Sequence, residues 1–143
     1  METIKIRYTE PDLIKLEKIQ KGCWIDLRAA EDVMLDKGDF ALISLGIAME
    51  LPVGYEAILA SRSSTFKNYG LLQSNGIGVV DESYCGDDDV LMMPVFATRD
   101  THISVNDRIC QFRIFKHQPE IVFEEKDHLG TESRGGFGST GRA

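Results

Sequence analysis

One segment of the chain places a carboxylate between glycines and an aromatic residue. Asp81 follows Gly78 and an apolar pair, and Tyr84 lies three residues further on. Glycines let a backbone approach a flat ligand closely, and an aromatic ring can stack on a sugar or a base. The pattern predicts a β-hairpin in which Asp81 either does chemistry or is an ordinary turn residue, and in which Tyr84 either contacts a ligand or packs.

A second segment, residues 61–64, combines an arginine with hydroxyl groups where a predicted strand meets a predicted helix. Free N–H groups and the helix dipole favour an anion at such a place. Arg62, Ser63 and Ser64 can therefore hold phosphate oxygens. The alternative is that the serines only cap the helix, which is a common use of serine.

A third segment begins a predicted strand in which Arg108 and Gln111 interrupt apolar neighbours. A buried glutamine needs a hydrogen-bond partner, so Gln111 either makes a structural hydrogen bond or binds a ligand.

The last segment of interest, residues 132–143, is rich in glycine and has one large apolar side chain. Such a segment has little with which to hold itself in place, and we expect it to be a mobile tail beyond a domain of residues 1–131. It is either a solvated end or a flap that folds over a phosphorylated, aromatic ligand. The residues suited to that task are Arg134, Phe137, Gly138, Ser139 and Thr140.

Composition limits the kinds of partner that the chain can have. The formal net charge of −7 argues against general affinity for nucleic acid, although a small phosphorylated ligand needs only a few local donors. No apolar run approaches the length of a membrane span. The three cysteines show no C-x-x-C spacing and the histidines no metal-ligand spacing, so we expect a reduced, cytoplasmic protein without a metal site of its own.

Short apolar runs separated by turns predict an all-β fold. A single short helix is expected between Ser63 and Gly70, where a serine can cap the start and the glycine can end it. At least seven short strands imply a sandwich, barrel or jelly roll. The clearest predicted strands are residues 3–8, 39–51, 55–60, 90–97, 108–116 and 121–123, of which 39–51 reads as one strand buried on both sides.

Taken in order, these segments resemble the five sequence motifs of the trimeric dUTPases. Each motif is short, but five in the right order cover most of the chain. One departure from the commoner pattern is Cys23 and Trp24 in the first motif. Another is the acidic run Asp87–Asp89, which indicates a solvated turn or else a cation-attracting or partner-binding surface. The motifs correspond to residues 23–29, 61–64, 78–86, 107–111 and 134–141.

The resemblance implies a jelly-roll-like subunit in a symmetric homotrimer with shared active sites. The 78–86 motif would come from one subunit, the first, second and fourth motifs from its neighbour, and the tail from the third. The implied reaction is hydrolysis of dUTP to dUMP and pyrophosphate, which limits uracil incorporation into DNA. Asp81 would take a proton from the attacking water, and Mg²⁺ held by the phosphates and water would offset charge.

The same resemblance assigns roles to individual residues. Ser63 and Gln111 would bind oxygens near the α-phosphate, with Arg62 and Ser64 organising that end. Asp26 would support these substrate-binding residues without contacting the substrate itself. At the nucleoside, Asn75 would meet the uracil edge with the Gly78 backbone beside it, Tyr84 would lie against the deoxyribose, and Phe137 would stack on uracil. Arg134 and either Ser139 or Thr140 would hold the outer phosphates, and Gly138 of the same tail would also bind the substrate.

Three other functions fit parts of the pattern. A dCTP deaminase, alone or combined with dUTPase activity, shares the implied fold, but the context of Asp81 resembles the dUTPase form. A dUTPase with an added regulatory role in binding a protein would keep the same residues. A structural jelly roll would account for the strands but not for the tail.

Overall fold

The structure is a computed structural model that describes residues 1–17 and 21–136. Within these residues the chain forms eleven β-strands and one short helix. In chain order they are β1 (Lys5–Tyr8), β2 (Ile25–Arg28), β3 (Val33–Leu35), β4 (Phe40–Ser44), β5 (Ile47–Glu50), β6 (Tyr55–Ser61), α1 (Thr65–Tyr69), β7 (Leu71–Gln73), β8 (Gly78–Val80), β9 (Met92–Ala97), β10 (Thr101–Ile103) and β11 (Arg108–Lys116).

The strands form two larger sheets and two paired ribbons, and every pairing is antiparallel. The larger sheets have the orders β2-β11-β6-β8 and β4-β9-β7, and the ribbons are β1-β5 and β3-β10. Most neighbours are far apart in sequence, as expected when a chain crosses repeatedly between the layers of a jelly roll. The predicted all-β, jelly-roll-like fold is confirmed.

One apolar core joins both larger sheets. In β9, Met93 and Val95 are fully buried whereas Met92 and Phe96 are exposed, which is the period-two alternation of a strand with one covered face. Ile109 and Phe112 of β11 contribute to the same core.

The predicted strand 39–51 is instead two strands, β4 and β5, with a break at Gly46. Gly46 has a φ of 69°, and a Cβ there would lie 2.7 Å from both Ala30 Cβ and Leu13 Cδ2. Only glycine fits this bend. The prediction that the whole run is buried on both sides was also wrong, because Phe40 and Leu42 are exposed.

Two other sequence predictions need correction. Residues 121–123 form no strand in the described chain, since no neighbouring strand is available to pair with them. The hairpin expected around Asp81 is also absent from the described residues, because β8 pairs with β6 and is followed by an unpaired turn. The short strands β3, β7, β8 and β10 have three residues each, too few for a clear periodic signal.

The helix was predicted correctly, but its start is held differently. Ser64 occupies the N-cap position without a side-chain cap hydrogen bond, and Gly70 ends the helix at a φ of 65°. Thr65 holds the start of the helix against β11. Its buried hydroxyl accepts a hydrogen bond from Arg62 N and donates one to Ile109 O, both at 3.0 Å. α1 is the one helix among the described residues, and it is neither long enough nor apolar enough to cross a membrane.

Thr65→Val should destabilise the protein by roughly 1–3 kcal/mol, because the isosteric change leaves a backbone N–H and a backbone C=O without their partner. Thr65→Ser keeps the hydroxyl and is the matched control. Urea unfolding at one fixed subunit concentration measures the difference. Equal stability of the valine and serine variants would contradict this account of how the segment after β6 is fixed.

Candidate functional site

The sheet order brings the first, second and fourth polar segments together. Asp26 of β2 lies directly opposite Gln111 of β11, and Gln111 lies opposite Ala60 of β6. Directly opposed residues of antiparallel strands point to the same face of the sheet. The Gln111 amide nitrogen donates to Ser61 O at 3.0 Å, so the structural role considered for this glutamine is real, and its second N–H is still a donor that a ligand can use.

Asp26 organises two arginines at this end of the sheet. Its Oδ1 accepts from Arg62 Nε at 3.0 Å, and its Oδ2 lies 3.6 Å from Arg108 Nη1. Arg62 Nη1 also reaches Ser64 Oγ at 3.3 Å and Arg108 O at 3.2 Å. Two cations around one carboxylate leave a net positive charge at a place where the Ser63 side chain is exposed. Such a group can bind a phosphate.

Asp81 lies in a tight turn directly after β8. Its Oδ1 accepts from Ser83 N at 2.8 Å, and its carbonyl oxygen accepts from Tyr84 N at 3.0 Å. Hydrogen bonds from the Ser83 backbone N–H and hydroxyl lower the pKa of the Asp81 carboxyl, and the nearby His117 acts in the same direction. The carboxylate is therefore ionised at neutral pH and can accept a proton.

An open cleft adjoins this turn. Asn75, Gly78, Asp81 and Tyr84 all line it, so the structure brings these four predicted residues together. The Tyr84 hydroxyl donates to Val90 O at 3.0 Å, which fixes the ring at the wall of the cleft. The remaining wall is mainly apolar and comes from Leu59, Val79, Val80, Val90, Leu91 and Met92 with Ser83.

Asp81 and the group around Asp26 lie at opposite ends of β6. Val80 pairs with Ala57, so Asp81 lies beside the start of β6, whereas Arg62 follows its last residue, Ser61. A strand advances about 3.3 Å per residue, so the five steps from Glu56 to Ser61 span roughly 17 Å. Within one chain, Asp81 is therefore far from the group around Asp26.

The tail is only partly covered by the structure. Arg134 is exposed and lies outside any helix or strand. The predictions for Phe137, Gly138, Ser139 and Thr140 fall outside the described residues.

In residues 1–17 and 21–136 no group of three or more His, Cys, Asp or Glu side chains is arranged to hold a metal ion. The cysteines are free, and burial raises the pKa of the Cys110 thiol to about 12, which makes it a core residue and not a nucleophile. The unusual Trp24 of the first segment packs edge-on against Phe115 with ring centroids 6.3 Å apart, so its bulk lies along β11.

Sequence reasoning did not assign roles to Arg108 and Glu82. Arg108 is the second cation on Asp26, and it lies opposite Arg28 in the register of β2 and β11. Glu82 accepts a hydrogen bond from Gly54 N. Neither contact has a short-range signal, because both join residues far apart in the chain.

Comparison with known proteins gives a consistent result. A model of the dUTPase family matches residues 17–141. The SPbeta prophage-derived deoxyuridine 5'-triphosphate nucleotidohydrolase YosS of Bacillus subtilis is 54% identical over 138 residues, covering 96% of this chain and 97% of that protein. The deoxyuridine 5'-triphosphate nucleotidohydrolase of Thermobifida fusca is 36% identical over 141 residues, covering 96% of this chain and 78% of that protein.

Solved structures share the fold. The dUTPase of Staphylococcus bacteriophage 80alpha with dUPNHPP has a TM-score of 0.81 at 20% identity and covers 99% of both chains. The Streptococcus mutans dUTPase has a TM-score of 0.71 at 18% identity, covering 82% of this chain and 98% of that one.

The hydrogen bonds to Asp81 generate a pH prediction. In the folded protein the Asp81 carboxyl should titrate at a lower pH than in the urea-unfolded chain, since Ser83 stabilises only the folded carboxylate. The associated stability is present above the unfolded pKa and is lost as the pH falls through the folded pKa. A ¹³C NMR titration of labelled aspartates, with Asp81→Asn to identify the signal, measures both midpoints. An equal or higher midpoint in the folded protein would contradict the hydrogen-bonded turn.

Proposed function

The chain belongs to the dUTPase family and hydrolyses dUTP to dUMP and pyrophosphate, and from this premise we propose that Asp81 is the base that activates the water. Its place in a ligand-sized cleft, beside Asn75, Gly78 and Tyr84, supports that role. The reaction limits incorporation of uracil into DNA and supplies dUMP for the synthesis of dTMP.

The chemistry follows from the two groups of residues. Asp81 takes a proton from water as the water oxygen bonds to the α-phosphorus, and the bond from that phosphorus to the bridging oxygen of the β-phosphate breaks. Pyrophosphate leaves with that electron pair. Ser63, Gln111 and the Arg62 guanidinium donate to phosphate oxygens, whose charge grows in the transition state.

The cleft beside Asp81 suits the nucleoside. Tyr84, held by Val90, would lie against the deoxyribose and leave no room for a 2′-hydroxyl. The Asn75 amide can donate to and accept from the uracil edge, and the Gly78 backbone would approach the ring closely. All three line the same cleft as the proposed base, which supports a single binding mode.

Mg²⁺ fits this site as a cation carried by the substrate. The residues at the phosphate end are donors, namely a guanidinium, a hydroxyl and an amide, so the ion would be held by the phosphates and water. When bound, it would supply charge compensation on the leaving pyrophosphate.

We also propose that the working enzyme is a homotrimer whose sites are shared between subunits. The observation that carries this proposal is the separation of roughly 17 Å along β6, because a base must reach the water that attacks a phosphorus held by Ser63 and Gln111. A neighbouring subunit can supply Asp81 to the group around Asp26. Three equivalent contacts then close a ring with threefold symmetry.

Exposed apolar surface supports assembly. On the β4-β9-β7 sheet, Phe96 is flanked by Phe40 on one side and Leu72 on the other, and all three are exposed with Leu42 and Met92. Monomeric proteins rarely expose a continuous apolar patch of this kind, and such a patch marks a surface that contacts another protein. Residues 121–123 carry three further exposed apolar side chains, in a segment that pairs with no strand among residues 1–17 and 21–136.

The deaminase alternative is not favoured, because the matched relatives are nucleotidohydrolases. Assay of the purified protein with dCTP and dUTP separates the two activities, since only a deaminase releases ammonia from dCTP.

Subunit mixing tests both the catalytic role of Asp81 and the sharing of sites. Asp81→Asn alone should bind a non-hydrolysable dUTP analogue nearly normally but turn over roughly 10²- to 10⁴-fold more slowly, the usual contribution of a general base. Arg62→Ala should also be impaired, through loss of phosphate contacts. Trimers formed by co-refolding equal amounts of the two variants should recover about a quarter of wild-type activity, because about one site in four pairs an intact Asp81 with an intact Arg62.

A mixture no more active than either variant, although hybrid trimers are present by native mass spectrometry, would contradict shared sites. A wild-type rate for Asp81→Asn would refute its role as the base.

We propose further that residues 132–143 form a tail that closes over the site of another subunit, with Arg134 near the outer phosphates. Deleting these residues should leave the trimer intact and strongly reduce hydrolysis, because closure excludes water and adds phosphate contacts. Size-exclusion chromatography with light scattering and a pyrophosphate-release assay measure the two effects. A truncated protein with full activity would exclude a closing tail.

A further inference from the structure

The turn that carries Asp81 has one inward-facing anchor. From residue 81 to residue 88 every side chain is exposed except that of Glu82, which is partly buried. Its carboxylate accepts a hydrogen bond from the backbone N–H of Gly54 at 2.8 Å. The residue next to the proposed base is therefore tied to a distant part of the chain.

The turn that receives Glu82 is itself firmly held. Gly54 has a φ of 86°, a conformation that favours glycine, and Tyr55 N closes the turn on Pro52 O at 3.2 Å. The Gly54 carbonyl accepts from His117 N at 2.9 Å, just past the end of β11. Gly54 thus joins three segments through its own peptide groups and the Glu82 carboxylate.

We propose that Glu82 is a positioning residue for the hydrolytic reaction, which orients the Asp81 carboxylate by fixing the adjacent peptide to the Pro52–Tyr55 turn. This inference rests on the proposed role of Asp81. What the role requires of residue 82 is a hydrogen-bond acceptor that reaches the Gly54 backbone N–H. A negative charge beside Asp81 is not required.

The effect should appear in turnover and not in ligand affinity. Ser83 N holds one carboxylate oxygen of Asp81, but the direction of that bond depends on the backbone at residue 82. Release of the Glu82 anchor lets the base rotate away from its water, and a displacement of about 1 Å can cost about 10²-fold in rate. Glu82 does not line the cleft that holds the nucleoside.

Three substitutions of Glu82 separate the effects of side-chain length, hydrogen bonding and charge. Glu82→Gln keeps the length and an acceptor oxygen but removes the charge, and it should keep kcat within about threefold of wild type. Glu82→Asp keeps the charge but falls short of Gly54 N, and it should lower kcat roughly 10-fold or more. Glu82→Ala should lose as much as the aspartate variant. Asp88→Ala, in the same exposed turn, is the control and should match wild type.

The readouts are kcat for dUTP, the affinity for a non-hydrolysable dUTP analogue by calorimetry, and the melting temperature. The inference predicts a fall in kcat for the aspartate and alanine variants at unchanged analogue affinity. It is overturned if Glu82→Asp turns over like wild type, if Glu82→Gln is as slow as Glu82→Ala, or if affinity and kcat fall together. Failure of the base assignment is distinguishable, because Asp81→Asn would then be active whatever the Glu82 variants do.

Discussion

The fixed rise of a β-strand is the constraint on which this molecule depends. β6 pairs with β11 along its whole length and with β8 at its middle, residues 57–59, so it holds both halves of the proposed site in one sheet. The same pairing keeps them roughly 17 Å apart, because hydrogen-bonded strands neither stretch nor slide without losing their ladder. In the proposed trimer, one of the two halves therefore comes from another copy of the chain.

Each half is organised before any ligand arrives. At the phosphate end, Thr65 ties the Arg62 backbone to β11 while Asp26 holds the Arg62 side chain. At the other end, Ser83 and Tyr84 close the turn on Asp81 and Glu82 anchors it on Gly54. Donors and acceptors fixed in this way cost little reorganisation when a charged ligand binds, which is where much of the catalytic advantage of an enzyme site arises.

The sequence was sufficient for the all-β class, the helix with its ending glycine, and the strand Arg108–Lys116, because each has a strong local signal. It failed at Gly46, whose φ of 69° breaks the run and where Ala30 and Leu13 leave no room for a Cβ. It also failed at residues 121–123, whose apolar pattern resembles a strand although a strand also needs a neighbour. The roles of Arg108 and Glu82 depend on long-range contacts that no local pattern encodes.

The distance between the two halves also prevents Asp81 from pairing with the arginines of its own chain. An ionised Asp81 within contact distance of Arg62 or Arg108 in the same chain would form an ion pair, which would lower the basicity of the carboxylate and occupy the phosphate site. Asp26 already neutralises part of that charge and leaves an excess for phosphate. In the proposed trimer, in which a neighbouring copy supplies Asp81, the triphosphate would lie between the base and the arginines. The base would then meet its water beside a phosphorus, and the arginines would meet phosphate oxygens in place of the carboxylate.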